Sequence, residues 1–304
     1  MNATSPLPVA VPVRVTRAWT WLRVRNLLVK ALAYLILSVG AFVVCVPWLW
    51  MVLTSLKTPA DILRIPLTVF PTQWMWSNYL EVFTWSATPM WRYVVNTLKI
   101  VVMAEIGVLL SNAMVAFSFA RLRWKFRDVM FIIVLATMML PAQVTMIPIF
   151  ALFTTKLHWR DTYYPLWVPT FFGSAWAIFL LRQYMLTIPT ELDDAARIDG
   201  CNTLQLFARI IVPLSAPVLA VIAIFTFNGV WNDFFGPLLY ITKPKLFTVA
   251  QFLASIGAPA AVGQLPRYDL LMAASVLASL PMAALFFAFQ RQFIQGVVIT
   301  GVKG

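Results

Sequence analysis

Residues 93–120 carry only two charges, Lys99 and Glu105. A hydrocarbon layer about 30 Å thick is crossed by roughly 20 helical residues. Inside it every backbone N–H and C=O must find a partner within the protein, so such a run is an α-helix. Five further stretches fit the same template: 31–53, 129–150, 163–181, 211–235 and 270–289. The expected fold is all-α, a polytopic membrane protein with six transmembrane helices. Hydrophobic residues make up 61% of the 304, against roughly 45–50% apolar in a soluble domain. Pro141 is expected to kink the third helix, and Pro213 and Pro217 the start of the fifth.

Charge sets the orientation. The net charge is +12, but the cations gather at the ends of apolar runs. That is the signature of membrane topology rather than of a phosphate-binding face, so no nucleic-acid partner is expected. The first 28 residues hold Arg14, Arg17, Arg23 and Arg25 and no acid, and residues 121–127 hold Arg121, Arg123, Lys125 and Arg127. Both stretches are expected in the cytoplasm, with both termini. Segments 54–92 and 236–267 then lie outside, the first with short interfacial helices. The first apolar run is too long for a signal-peptide core and reads as a retained helix. Cys45 and Cys201 are expected to stay unpaired, and His158 is the only histidine. With no Cys/His cluster, no G-x-G-x-x-G and no Walker A loop, neither a zinc site nor a nucleotide cradle is expected in this chain.

One polar stretch interrupts the pattern. Residues 189–201 hold Glu191, Asp193, Asp194 and Asp199, four of the chain's eleven acids. Thr190 is expected to cap a helix whose first turn carries the negative charges the helix dipole favours. Ala195 and Ala196 are small enough for another backbone to approach closely. Gly200 is expected to stop the helix, and Thr203 to cap a second one running into the fifth apolar segment.

Glu191-Leu192-Asp193-Asp194-Ala195-Ala196-Arg197-Ile198-Asp199-Gly200, with Phe207, Ile210, Pro213-Leu214 and Pro217 behind it, resembles the "EAA" loop of ATP-binding-cassette importer permeases. Asp194 stands where that family usually has a glutamate. The stretch from Met139 to Pro148, the segment Phe179-Leu180-Leu181-Arg182-Gln183, Trp231-Asn232-Asp233 and the Gly-Val-Lys-Gly ending are similar to the carbohydrate-uptake, maltose-type branch. The resemblance implies a type I importer permease architecture: a cytoplasmic tail over 1–28, a first helix and external loop over 29–91, a core permease domain over 92–290 with a coupling loop at 187–209, and a C-terminal tail over 291–304. It implies four kinds of partner in a bacterial or archaeal plasma membrane: a second homologous permease forming a heterodimer, two copies of a cytoplasmic ATPase subunit, an external solute-binding protein, and the lipid bilayer. ATP and Mg belong to the ATPase subunits, and this chain is expected to hold no cofactor and to be no enzyme. Glu191, Asp193, Asp194, Ala195, Ala196, Asp199 and Gly200 are the implied contact with the ATPase.

Polar residues at membrane depth are costly against lipid and are expected to face the bundle, a partner or a watery cavity. They are Asn96, Glu105, Asn112, Gln143, Asn228, Asn232 and Asp233. Asn228, Trp231, Asn232 and Asp233 have the chemistry of a sugar contact, since amides bind hydroxyls and aromatic faces stack on sugar rings. Trp231 equally suits an interfacial belt. Glu105 reads either as a pathway residue or as a packing carboxyl. Two other functions fit the sequence. A glycerol-phosphate or other polyol importer shares the same signatures. An ion-coupled secondary transporter requires an essential membrane carboxyl, which Glu105 supplies, and uptake without an ATPase.

Overall fold

The computed structural model describes residues 18–259 and 265–301, and the side chains of 24–259 and 265–290. The N-terminal arginines Arg14 and Arg17 and the closing Val302-Lys303-Gly304 lie outside the described residues. Every regular element among the described residues is helical. Two units are distinguished, one ending at Val52 and one beginning at Leu53. Most of the first is a single long helix, α1 (Ala18–Ser55), with Pro47 inside it.

The second unit opens on the expected external segment, which contains α2 (Pro59–Leu63) and α3 (Ser77–Thr84). Helix α4 (Met90–Arg121) is the second apolar run. The third run is not one kinked helix. It divides into α5 (Arg127–Ala136), a 3-10 turn over Thr137–Met139, and α6 (Ala142–Ala151), which continues as a π-turn over Leu152–Lys156. The two halves meet at 92°. Pro141 has no N–H to give the ladder and holds Leu140 extended (ψ 117°), so the helix stops instead of bending. The fourth run begins with α7 (Tyr164–Trp167) and a 3-10 turn over Val168–Phe172, then restarts after Gly173 as α8 (Ala175–Thr187).

Helix α9 (Glu191–Ile198) follows, then α10 (Thr203–Leu206), a π-turn over Phe207–Ile211 and α11 (Val212–Leu214). The fifth span proper is α12 (Ala216–Trp231). It turns by 75° from the preceding helical stretch, so the kink expected at the start of the fifth run is a sharp corner at Ser215, between Pro213 and Pro217. The chain closes with α13 (Phe235–Tyr240), α14 (Val249–Gly257) and α15 (Tyr268–Gly301). Four helices are long and apolar enough to cross a membrane, and the two bent pairs bring the number to six when each counts as one span.

Helix α4 contributes to three core clusters, two of them large. Its N-terminal half packs Tyr93 and Val101 with Trp231, Phe252, Leu270 and Ala274. Its C-terminal half packs Ala113, Ala116 and Phe117 with Leu181, Met185, Phe207 and Ile222. Two amides stitch α4 to its neighbours. Asn96 Nδ2 donates to the carbonyls of Lys245 and Phe247 (3.0 and 3.1 Å). The side chain of Asn112 donates to Val108 O and accepts the Ser174 backbone N–H at 2.7 Å. Both residues are buried, and both belong to helix packing.

The segments expected outside are latched by charge. Asp161 accepts the backbone N–H groups of Thr242 (2.7 Å) and Lys243 (3.1 Å) and the Thr242 hydroxyl. The Thr242 amide holds its carboxyl below the usual carboxylate range. This latch is therefore at full strength above the ordinary aspartate range and is lost as pH falls through the lowered value. Arg267 grips Glu81 of α3 (3.1 and 3.3 Å) and Asp269 of α15 (2.8 Å). Asp269 is buried. The substitution Arg267→Met strands its carboxylate and is expected to destabilise the protein by roughly 1–3 kcal/mol. Thermal unfolding of the purified protein checks this, and restoration by Arg267→Lys is expected to be incomplete, because an ammonium cannot fork two carboxylates.

Candidate functional site: the α9 handle and the polar residues of α4 and α12

The acidic helix forms as expected, but its two ends are built differently. Thr190 is already helical (φ −74°, ψ −19°) and its side chain makes no capping bond. A cap needs an extended backbone to aim its oxygen at the first free N–H groups. Here it is Ile188, ahead of Pro189, that is extended. Thr190 O instead accepts from Asp193 N–H and Asp194 N–H. At the other end Gly200 takes φ +82°. Gly200 N donates to Arg197 O (3.1 Å) and Cys201 N to Ala196 O (2.9 Å). That pair of bonds is the Schellman closure, which calls for a left-handed residue and so for glycine. The next helix is capped by Asn202, not Thr203. Asn202 and Gln205 exchange side-chain to backbone bonds, both 2.9 Å, in a capping box.

The helix has an inner and an outer face. Asp193 and Ala196, three positions apart, are buried, and Ala196 belongs to the core with Phe117, Leu181 and Met185. Asp193 Oδ2 lies 3.4 Å from Arg121 Nη1. Arg121, at the C-terminus of α4, is itself buried in its side chain and donates from Nη2 to Met185 O (2.8 Å) and Ile188 O (2.7 Å). Those carbonyls lie at the end of α8, where the helical ladder runs out of N–H groups; Met185 O also accepts the Ile188 N–H at 3.3 Å. One guanidinium thus ties the ends of α4 and α8 to α9. Sequence reasoning read Arg121 only as part of a topology signal. Its distance from Asp193 in the chain left no mark of the pairing.

The outer face is free. Glu191, Asp194, Ala195, Asp199 and Gly200 are all exposed. Ile198 is 87% exposed, and Leu192 and Leu204 are also exposed. Three carboxylates, Glu191, Asp194 and Asp199, and one guanidinium, Arg197, are exposed in the same stretch. Of the residues expected to form one contact, Asp193 and Ala196 therefore face the bundle and the other five face outward.

The expected sugar-contact residues divide as well. Trp231 is buried, donates Nε1–H to Ala278 O at 3.1 Å and stacks on Phe227 with centroids 5.6 Å apart. That is a packing role joining α12 to α15. Asp233 accepts Gly236 N–H (3.0 Å) and closes the turn into α13. Asn228 and Asn232 are exposed and bond to each other, Asn232 Nδ2 donating to Asn228 Oδ1 at 3.1 Å. Gln143 is also exposed. Glu105 lies on α4 against the Phe227 backbone of α12. Its Oε2 is buried with no hydrogen-bond partner among the described residues.

The sequence profile of the family described as "binding-protein-dependent transport system inner membrane component" matches residues 112–299, from the middle of α4 through α9 and into α15. The chain belongs to this family. It is 35% identical over 266 residues to the arabinooligosaccharides transport system permease protein AraQ of Halalkalibacterium halodurans, covering 87% of this chain and 93% of that one. It is 31% identical over 274 residues to the lactose transport system permease protein LacG of Rhizobium radiobacter, covering 90% and 97%. Its fold matches a chain in the crystal structure of a bacterial ABC transporter involved in the import of the acidic polysaccharide alginate, with TM-score 0.75, 21% identity, and coverage of 88% and 97%. As a permease of this family the protein is a multi-pass membrane component of a binding-protein-dependent transport system.

Proposed function

We propose that this permease forms half of the translocation path of an ATP-driven importer for a sugar or oligosaccharide, and that α9 is the element a cytoplasmic ATPase grips. The observation that carries the proposal is the two-faced α9. Its inner face is bolted to the bundle through Asp193 and Arg121, and its outer face offers carboxylates together with exposed Leu192 and Ile198. A surface of that kind suits a second protein, since exposed apolar side chains ringed by charge mark interaction sites. The tie to α4 and α8 makes α9 move with the helices rather than slide past them, so a push on the handle becomes a rigid-body shift of the bundle. In this reading a second, homologous permease completes the path as a heterodimer, two ATPase copies bind ATP and Mg, and an external solute-binding protein delivers the sugar. N- and C-termini and α9 lie in the cytoplasm. The carbohydrate assignment is supported by the relatives' transport of arabinooligosaccharides and lactose. The exposed amides Asn228 and Asn232 are the groups in this chain proposed to meet sugar hydroxyls, with Glu105 behind them.

The test is to purify the permease with its co-encoded partners and measure which solute stimulates ATP hydrolysis, then repeat with Asp194→Lys combined with Gly200→Leu. The lysine reverses a charge on the outer face. The leucine opposes the left-handed turn, at a cost of roughly 1–2 kcal/mol, while its Cβ has no neighbouring atom within 4 Å. ATP-driven uptake and ATPase retention are expected to fall together. If both persist unchanged, α9 is not the handle. If uptake survives removal of the ATPase and collapses with the ion gradient, the chain is an ion-coupled transporter.

A further inference from the structure

The connection between α4 and α5 sits at the same end of the bundle as α9, because Arg121, the last residue of α4, pairs with Asp193 of α9. Beyond Arg121, cations and aromatic rings alternate: Arg123, Trp124, Lys125, Phe126, Arg127. Phe126 takes φ +66°, a conformation that bulky side chains seldom adopt, and it is 61% exposed. Lys125 Nζ lies 5.1 Å from the centroid of its ring. Trp124 leans on Phe119 with centroids 5.7 Å apart. Arg123, Trp124, Phe126, Arg127, Asp128 and Val129 line a surface cavity of about 460 Å³. Arg127 is forked on Asp128 (3.0 and 3.4 Å), which cancels one cation. Arg123 and Lys125 form no ion pair among the described residues.

The flank of this cavity is apolar. Val129, Met130, Ile132 and Ile133, in the first two turns of α5, are exposed by 43–64%. A cationic hollow therefore opens where an apolar, outward-facing helix begins. That is the depth at which a bilayer changes from headgroup to acyl chain, and where aromatic rings settle.

We propose that this cavity is a binding site for one anionic phospholipid, its phosphate held by Arg123 and Lys125 and its glycerol and acyl chains laid along Phe126 and the exposed side of α5. The excess of positive charge selects an anionic headgroup over a zwitterionic one. The adjoining apolar flank selects a lipid over free phosphate. Asp128 disfavours a second phosphate, so one lipid is retained per chain.

The experiment uses the complete transporter, purified with its ATPase subunits and exchanged from native membrane into phosphatidylcholine vesicles. Phosphatidylglycerol is then titrated back and bound lipid is counted by native mass spectrometry. At about 1 kcal/mol per cation near a charged surface, Arg123→Gln with Lys125→Gln is expected to weaken retention about thirtyfold. Phe126→Gly relieves the left-handed backbone and so keeps the fold, yet is expected to weaken retention by removing the ring. Equal retention by the wild type and both variants overturns the proposal. So does binding of inorganic phosphate or glycerol phosphate as tight as that of phosphatidylglycerol, which leaves the apolar flank no part. Loss of ATPase subunits from the variants with lipid retention unchanged makes the loop a subunit contact and overturns it as well. Because the readout is bound lipid rather than uptake, its failure leaves the importer assignment standing.

Discussion

Arg121→Ala is expected to be the most damaging single truncation in the permease, lowering stability by roughly 3–5 kcal/mol. The substitution leaves the Asp193 carboxylate buried with no countercharge and takes a donor from the carbonyls of Met185 and Ile188. An intact buried pair contributes little beyond its apolar equivalent, but removing one partner exposes the full desolvation penalty of the other. Two comparisons separate the parts. Asp193→Asn leaves the buried guanidinium without a countercharge but with its two carbonyl acceptors as partial compensation, so it is expected to cost less, about 1–2 kcal/mol. Arg121→Lys keeps the charge but reaches fewer acceptors, so it is expected to fall between the two. The measurement is thermal unfolding of the purified complex followed by tryptophan fluorescence, with a drop of about 10 °C expected for Arg121→Ala. Solute-stimulated ATP hydrolysis is expected to fail before the bundle unfolds, because α9 loses its bolt first. An Arg121→Ala protein with unchanged melting and unchanged coupling would show that α9 is held by Ala196 and its apolar neighbours alone.

The second large effect is expected at Gly107. A Cβ there falls 2.6 and 2.8 Å from ring carbons of Phe171 and collides with the Thr170 hydroxyl, which is bonded to Trp167 O at 2.7 Å. Helix α4 approaches the 3-10 turn at Val168–Phe172 too closely for any side chain. Gly107→Leu must push the two apart and is expected to destabilise by roughly 3 kcal/mol. Gly229 provides the contrast. It too lies inside an apolar helix, α12, yet nothing stands within 4 Å of its Cβ position. Gly229→Ala is expected to leave stability unchanged or to raise it by about 0.5–1 kcal/mol. Parallel melting curves of the two variants decide the matter, and equal curves mean that the close approach at Gly107 is not what fixes α4.

Those two glycines mark the limit of what is legible in one dimension. Each reads simply as a glycine in an apolar run, because a close approach depends on a partner distant in the chain. The same holds for the polar residues. Asn112 and Asn228 are both asparagines at membrane depth. One is buried and bridges α4 to Ser174, and the other is exposed. Trp231 has the chemistry of a sugar platform, but its N–H is engaged with Ala278 O and its ring is covered. Asp193 stands in a row of acids with no local sign that it alone turns inward. Cap positions slipped by a residue, from Thr203 to Asn202, because either side chain supplies an acceptor and only the backbone angle decides which is aimed correctly.

By itself the sequence determined the all-helical membrane fold, the place of each apolar run, the helix over Glu191–Ile198 and its stop at Gly200. These follow from local rules: hydrocarbon forces backbone groups to pair within a helix, and a left-handed stop calls for glycine. Tertiary structure alone decided how sharply the third and fifth runs turn at their prolines, that Arg121 bolts the acidic helix to the bundle, and which face of that helix remains open. Such choices are made by carbonyls, charges and ring faces that meet only after the chain has returned on itself, and no spacing along the sequence encodes them.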